Sequence, residues 1–571
     1  MHPVRVTREE TMSPTSLTSS PVDALADRFW ESFLELQPVY ATVLGDERFD
    51  DRLDDPGPDG RAAERTLLAS VLAEAAAIET DALPTEERIT LDMLRVVANL
   101  NLEGLEHRLW QLTSVDPLAG PQTLPGDLAR FQRLDTPERF ERLLARLDAY
   151  PRYLRLHADN IREGAAARRT AALPVVERAI TQTRRAVETP TERSPLMVAD
   201  PGLTADQRER LAAAHDRLVR PALAGFLAAL EAYRPAARAG EGLCWLPDGD
   251  ALYRFSVLAS TTLQEDPQAL HDYGLERIDA IDRERAAIAR SLGHADVASF
   301  RAALDADPSN LATEPADLVR LAEAQVARAA AAAPAWFGRL PRASCEVRAV
   351  EPHQEQEAPP AFYFPPATDG SRPGIYFINT FEPGSRPLHR LAAATFHEAI
   401  PGHHFQIAIE AELEGLPAFR RLGSRLAGAA YPEGWGLYSE RLADEMGLYA
   451  DARERFGMLD AQAWRAVRLV VDTGIHAFRW DRQRSIDLLR TAAGLSQLEA
   501  ETETDRYIGW PGQALAYTTG QRAIEGLRAE LASRDGSRFD LRAFHDQVLG
   551  HGSLPLATLQ RELPGWVAAM A

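Results

Sequence analysis

The chain contains no lysine: all 63 of its basic residues are arginine. Without an amine side chain there is no Schiff-base chemistry, no P-loop lysine and no kinase-type phosphate lysine, so those reaction classes are excluded at once. Cysteine is nearly absent too. Cys244 and Cys345 lie far apart and match no C-x-x-C metal or redox pattern, which favours two buried free thiols over a disulfide. No apolar run reaches the roughly 18 residues of a membrane span, and Met1 to Pro21 has early charges and a Ser/Thr/Pro stretch where a signal peptide would have an apolar core. A cytoplasmic protein with no membrane contact is expected, and Met12 is an alternative start. Acidic residues number 84, giving a formal net charge of −21. That balance disfavours nucleic acid and anionic lipid as partners.

What is present describes an ordinary globular chain of 571 residues, 45% hydrophobic and 26% charged. Helical periodicity dominates. Leu25, Phe29, Phe33 and Leu36 recur at three- or four-residue spacing over Ala24 to Leu36, and similar patterns cover 61–79, 86–112, 137–163 and 173–188. Pro38 to Asp55 reads as a connection, Leu243 to Leu258 as a turn in the core near a structural His271, and the alanine run 330–333 as helix. No fixed repeat is detectable, so a solenoid is unsupported. The one clear β signal is Ala361 to Phe364 followed by Gly374 to Asn379 across a Pro/Asp/Gly-rich turn, a hairpin pattern. The expected fold is mainly α with a small antiparallel hairpin or sheet. Residues 1–20 form a polar tail, 21–345 a helical lobe and 346–571 a second lobe, the two lobes intertwined in one unit.

The chemistry concentrates in Thr395 to Gln406, T-F-H-E-A-I-P-G-H-H-F-Q. His397-Glu398 opens like the zinc signature H-E-x-x-H, in which two histidines bind metal and the glutamate activates water. Pro401 stands where the second histidine should be, and His403 and His404 follow it. On an unbroken helix neither could share a metal with His397, because one points away and the other lies about 10 Å further along. Pro401-Gly402 supplies a break that can return one of the two histidines to the metal.

H-E-A-I-P-G-H-H resembles the H-E-x-x-P-G-H-H signature of a bacterial family of uncharacterised proteins similar to gluzincin metallopeptidases, the clan of the thimet oligopeptidases, Taq-type carboxypeptidases and angiotensin-converting enzyme. The resemblance implies a large two-lobed helical fold with a deep cleft. It implies one Zn2+ per chain held by His397, His403 and a glutamate on a later helix, with His404 as the alternative ligand. In Y-P-E-G-W-G-L-Y-S-E-R-L it favours Glu433 as that ligand and leaves Glu440, two turns on, as a supporting or packing residue. It makes Glu398 the general base and favours Tyr517, in R-Y-I-G-W-P-G-Q-A-L-A-Y, as oxyanion donor, with Tyr507 second. Such enzymes lay substrate along an edge strand beside the zinc helix. Gly374 to Asn379, with Tyr376, is the candidate for that strand.

Arg506 could hold a substrate carboxylate by bidentate pairing. Asp472 and His476, four apart on one helical face, could orient each other or relay a proton. The function expected is zinc-dependent hydrolysis of short peptides. A hydrolase of a non-peptide amide or ester, or a metal-binding helical protein without turnover, is the alternative. Subunit number cannot be read from the sequence.

Overall fold

The computed structural model describes residues 20–198, 202–351, 355, 358–367, 370 and 372–570. The expected polar tail lies, except for Ser20, outside the described residues. The fold is mainly α, as the periodicity implied. Helix Leu173–Glu188 has the expected bounds, and Pro137–Ala166 runs three residues beyond them. Ser20 caps the first helix, Pro21–Leu36, by accepting the Asp23 N–H at 3.1 Å, and Pro21 occupies its first turn. Two expectations are corrected. The supposed connection after Pro38 contains a helix, Pro38–Leu44, bracketed by a proline at its start and by Gly45 at φ +86 at its end. The supposed turn at 243–258 is a short 3-10 segment, Leu243–Trp245, followed by helix Gly249–Thr261.

Three large apolar cores hold the helices together. One draws on residues from Val115 to Leu304 and from Ala393 to Ala514. A second joins Ala312 to Leu448 with Ala516 to Val567, and a third packs Val22 to Leu105 around Phe419 and Ala427. Each core combines sequence from both sides of residue 345. Helix Ala452–His476 is buried on nearly every side, Asp460, Gln462, Arg468, Asp472 and His476 included. It packs against Pro267–Ser291, Arg482–Ala493 and Leu391–Glu398.

The β element is a three-stranded mixed sheet of order β1-β3-β2, with β1 Cys345–Ala349, β2 Ala361–Phe364 and β3 Gly374–Ile378. β2 and β3 form the expected antiparallel pair, Phe362 opposite Phe377 and Tyr363 opposite Tyr376. β1 was not foreseen. It runs parallel to β3 and makes β3 the central strand. Gly374 to Asn379 is therefore not the edge strand expected to carry substrate, and Tyr376 is fully buried. The continuous apolar run G-I-Y-F-I is what a strand covered on both faces requires. The Tyr376 hydroxyl lies 3.3 Å from Thr395 Oγ1, and that hydroxyl donates to Gln325 Oε1 at 2.8 Å, so sheet and helix Pro315–Ala332 brace the helix that carries His397.

Helices Ala430–Glu445 and Ala516–Asp535 touch backbone to backbone. A Cβ on Gly434 would sit 2.4 Å from Gly520 Cα, and one on Gly520 would sit 1.8 Å from the Ala430 carbonyl oxygen. Gly520→Ala must push the helices apart and is expected to destabilise the fold by about 1–3 kcal/mol. Gly526→Ala, in the same helix but facing open space, is expected to stabilise by about 0.5–1 kcal/mol. Thermal unfolding of the two variants checks this, and a shift of the same sign in both would contradict the close-approach account.

Candidate metal centre

The helix that starts at Leu391 ends at Glu398, and a new one begins at His403 and runs to Ala411. Between them Ala399 to Gly402 leave helical geometry, with ψ −107 at Ala399 and −126 at Gly402. A Cβ on Gly402 would lie 1.9 Å from the His397 carbonyl oxygen, so only glycine allows the chain to fold back this tightly. The Trp435 indole N–H donates to the Pro401 carbonyl at 2.9 Å and fastens the break to the helix Ala430–Glu445.

That fold-back brings three donors together. Oε2 of Glu433 lies 3.5 Å from His397 Nε2 and 3.5 Å from His403 Nε2, and the three ligand atoms all fall within 4.8 Å of one another. The two rings stand nearly perpendicular at 85°, their centroids 4.8 Å apart. Gly436 makes room, since a Cβ there would be 2.8 Å from His397 Nε2.

His397 is the best supported of the three. Its Nδ1–H donates to Glu440 Oε1 at 2.9 Å, which turns the Nε2 lone pair toward Glu433 and His403. Glu440 is fixed in turn: Gln462 Nε2 donates to its Oε2 at 2.9 Å, and Gln521 Nε2 donates to Gln462 Oε1 at 2.9 Å. Three helices thus hold one imidazole. The Nδ1 of His403, by contrast, is buried without a hydrogen-bond partner among the described residues.

Electrostatics follow from this crowding. Burial alone would lower the His397 pKa, but hydrogen bonding to Glu433 and Glu440 outweighs it and raises the ring to about 9. Burial would raise Glu433, yet the two histidines hold it well below the usual carboxylate range. Glu398 is raised by burial, a shift that the two histidines only reduce. Tyr517 is raised by burial and then by Glu433, so its hydroxyl keeps its proton. The Tyr517 ring stacks at 27° to His397, centroids 6.4 Å apart.

The donor set suits a metal. A tetrahedral site with bonds of 2.0–2.2 Å has ligand–ligand edges of about 3.4 Å, and both nitrogen–oxygen separations are 3.5 Å. A carboxylate behind one imidazole is the usual second partner of a metal-binding histidine.

The other expected residues fall elsewhere. His404 does not join the group: its Nδ1 is 2.9 Å from the Tyr363 hydroxyl, and it lines a separate cavity of about 700 Å³ with Ile400, Phe405 and Arg342. Desolvation lowers its pKa to about 4. Arg506 is already occupied, by Glu503 at 2.8 Å and by Gln513 Oε1 at 2.7 Å. Tyr507 is buried and donates to Glu503 at 2.6 Å while accepting from Arg468 at 2.9 Å. Asp472 and His476 do not pair with each other. Asp472 accepts from the Tyr253 hydroxyl at 2.7 Å and from Gly512 N–H at 3.1 Å, whereas His476 lies between Leu243 N–H at 3.1 Å and the Tyr507 carbonyl at 2.9 Å. Both tie segments of the core together. His271, at 2.8 Å from Thr473 Oγ1, is structural as expected.

Gln462, Arg465 and Arg468 were missed. The signal was there: with Asp472 they form a polar stripe at three- and four-residue spacing on a helix otherwise apolar.

A mainly helical protein built around a two-histidine, one-glutamate donor group is thus the class that fold and site define. The chain belongs to the family described as "Bacterial protein of unknown function (DUF885)", whose model matches residues 38–563. It is similar over 96% of its length, and 99% of the other chain, to the crystal structure of a "putative lipoprotein" from Colwellia psychrerythraea, at 27% identity and a TM-score of 0.89. A "putative lipoprotein of unknown function" from Shewanella oneidensis is similar over 95% of this chain and 99% of its own, at 20% identity and a TM-score of 0.75. No curated protein matches. Among the described residues no helix is long and apolar enough to cross a membrane.

Desolvation, only partly relieved by its hydrogen bonds, raises Asp472 to about 7. A carboxyl raised in the folded state stabilises fully below its unfolded pKa of about 3.9, and that contribution is lost as pH rises through the folded value. Asp472→Asn is expected to flatten this dependence, so that its stability relative to wild type rises between about pH 4 and 7. Urea unfolding midpoints across that range measure it, and parallel curves would contradict a buried neutral Asp472.

Proposed function

We propose that this protein is a zinc-dependent hydrolase of peptide bonds in short peptides, its metal held by His397, His403 and Glu433. The observation that carries the reading is the single Glu433 oxygen 3.5 Å from both imidazole Nε2 atoms, with Glu440 orienting the nearer-braced ring from behind. The resemblance of H-E-A-I-P-G-H-H to the gluzincin signature supports the same assignment. Zinc bound there would supply Lewis acidity toward a water molecule and the scissile carbonyl.

The chain's own residues supply the rest. Glu398, next to His397, takes a proton from the attacking water as the C–O bond forms and passes it to the amide nitrogen as the C–N bond breaks. Tyr517, protonated and one ring from His397, donates its hydroxyl to the oxygen on which negative charge develops. Strand β2, an edge of the sheet that packs against the His397 helix, takes over the substrate-pairing role first expected of β3. Two readings of location have support. Cys244 and Cys345 are both free thiols, which fits the cytoplasm. The descriptions of the two solved neighbours favour the cell envelope, and fractionation of the native host decides between them.

Elemental analysis of the purified protein is expected to find about one zinc per chain, lost in His397→Ala, His403→Ala and Glu433→Ala and retained in His404→Ala. Glu440→Gln is expected to weaken metal binding about 10–100-fold. Glu398→Gln is expected to keep the metal and lose hydrolysis of a short-peptide library. A wild-type protein that takes up no zinc, or a Glu398→Gln variant with full turnover, would end this reading.

A further inference from the structure

Beside the donor group lies a set of arginines with more positive charge than their surroundings balance. Arg465 and Arg468 come from helix Ala452–His476, and Arg506 from helix Gln497–Gly509. Among the described residues the one carboxylate in ion-pair contact with any of them is Glu503, 3.2 Å from Arg468 and 2.8 Å from Arg506. Among the described residues Arg465 has no carboxylate within ion-pair distance. Glu398 also faces Arg465 at longer range, and the three positive charges, with Arg468 only 4% exposed, still leave room for an anion from outside.

Unused donors point the same way. Among the described residues Arg468 Nη1 and Arg465 Nε are buried without hydrogen-bond partners, and Arg465 Nη1 has the Ala461 carbonyl at 3.5 Å. Both guanidinium groups are held in place by aromatic faces: Arg465 lies 4.8 Å and Arg468 4.6 Å from the Trp464 ring, and they lie 5.8 Å and 4.5 Å from the Tyr517 ring. Tyr517 is the residue stacked on His397. The guanidinium groups thus stand one aromatic ring beyond the donor group, a distance that one or two residues of extended peptide span at about 3.3–3.6 Å each.

We propose that Arg465, backed by Arg468, receives the free α-carboxylate of the substrate, so that cleavage falls one or two residues from the C-terminus of a short peptide. This rests on the hydrolase reading above and adds to it the end of the peptide that is recognised. A planar fork of N–H donors matches a carboxylate bidentately, and a guanidinium already fixed by stacking gives up little freedom on binding. Arg506, first considered for this task, is excluded by its contacts with Glu503 and Gln513.

The test uses zinc-loaded Glu398→Gln protein and a mixture of N-acetylated tetrapeptides in two forms, free acid and C-terminal amide, with binding measured by calorimetry and by Trp464 fluorescence. The acids are expected to bind at least about tenfold more tightly than the amides. In Arg465→Ala on the same background the ratio is expected to fall to about one, and in Arg465→Lys to be partly retained, with the unfolding temperature unchanged in both. Equal affinity for acids and amides, with zinc and peptide binding intact, would overturn the carboxylate anchor and leave the hydrolase standing. Binding of neither form would overturn the anchor together with the peptide substrate, and the zinc content would then show whether the metal reading survives.

Discussion

Everything at the candidate site depends on the chain doubling back between Glu398 and His403. A continuous helix would carry the two histidines about 10 Å apart. The break returns His403 to the side of His397, but only because neighbouring elements pay the steric cost: Gly402 has no side chain to strike the His397 carbonyl, Gly436 none to strike its ring, and Trp435 holds the Pro401 carbonyl at 2.9 Å. The helix that delivers Glu433 is thus also the helix that fixes the break. Its own position is set by contact of Gly434 with Gly520, which brings Tyr517 and Gln521 into range from the next helix. Glu433, Glu440 and Tyr517 are all placed by one pair of closely packed helices, beside which His397 and His403 are folded back.

Polar groups this deep in a helical core require partners, and most have them. Glu440 is satisfied by His397 and Gln462, and Glu503 by two arginines and Tyr507. Removing one partner from such a network costs more than the bond itself, because the other is left buried and unpaired. The exceptions are therefore informative. Among the described residues His403 Nδ1 and Arg468 Nη1 are two of the buried polar atoms without a partner, and Arg468 lies on the Tyr517 side of the donor group.

Much of this was legible in the sequence. Helical periodicity gave the architecture, since amphipathic spacing such as Leu25-Phe29-Phe33 survives any tertiary context. The clustering of His397, Glu398 and G-H-H marked the site, and the Pro-Gly pair marked the break. Which of His403 and His404 turns inward was not legible, because residues one apart on a helix differ by about 100° and the rotation of the second helix is set by Ala399 to Gly402, across which periodicity carries no information. The order of the sheet was hidden for a different reason. C-E-V-R-A has two charges in five residues and gives little strand signal, yet pairing with β3 makes it an edge and puts Tyr376 in the core. Arg506 was singled out by residue type and segment and His476 by its spacing from Asp472, and neither signal could show the partners they have, Glu503 and Gln513 for the one and Leu243 N–H and the Tyr507 carbonyl for the other.

The central claim is that one metal ion sits between His397, His403 and Glu433. Anomalous diffraction at the zinc absorption edge, from crystals of the zinc-loaded protein, tests it most directly. The account predicts a single strong peak at about 2.0–2.2 Å from His397 Nε2, His403 Nε2 and a Glu433 oxygen. A peak at His404, or crystals with no peak at the three donors under saturating zinc, would contradict it.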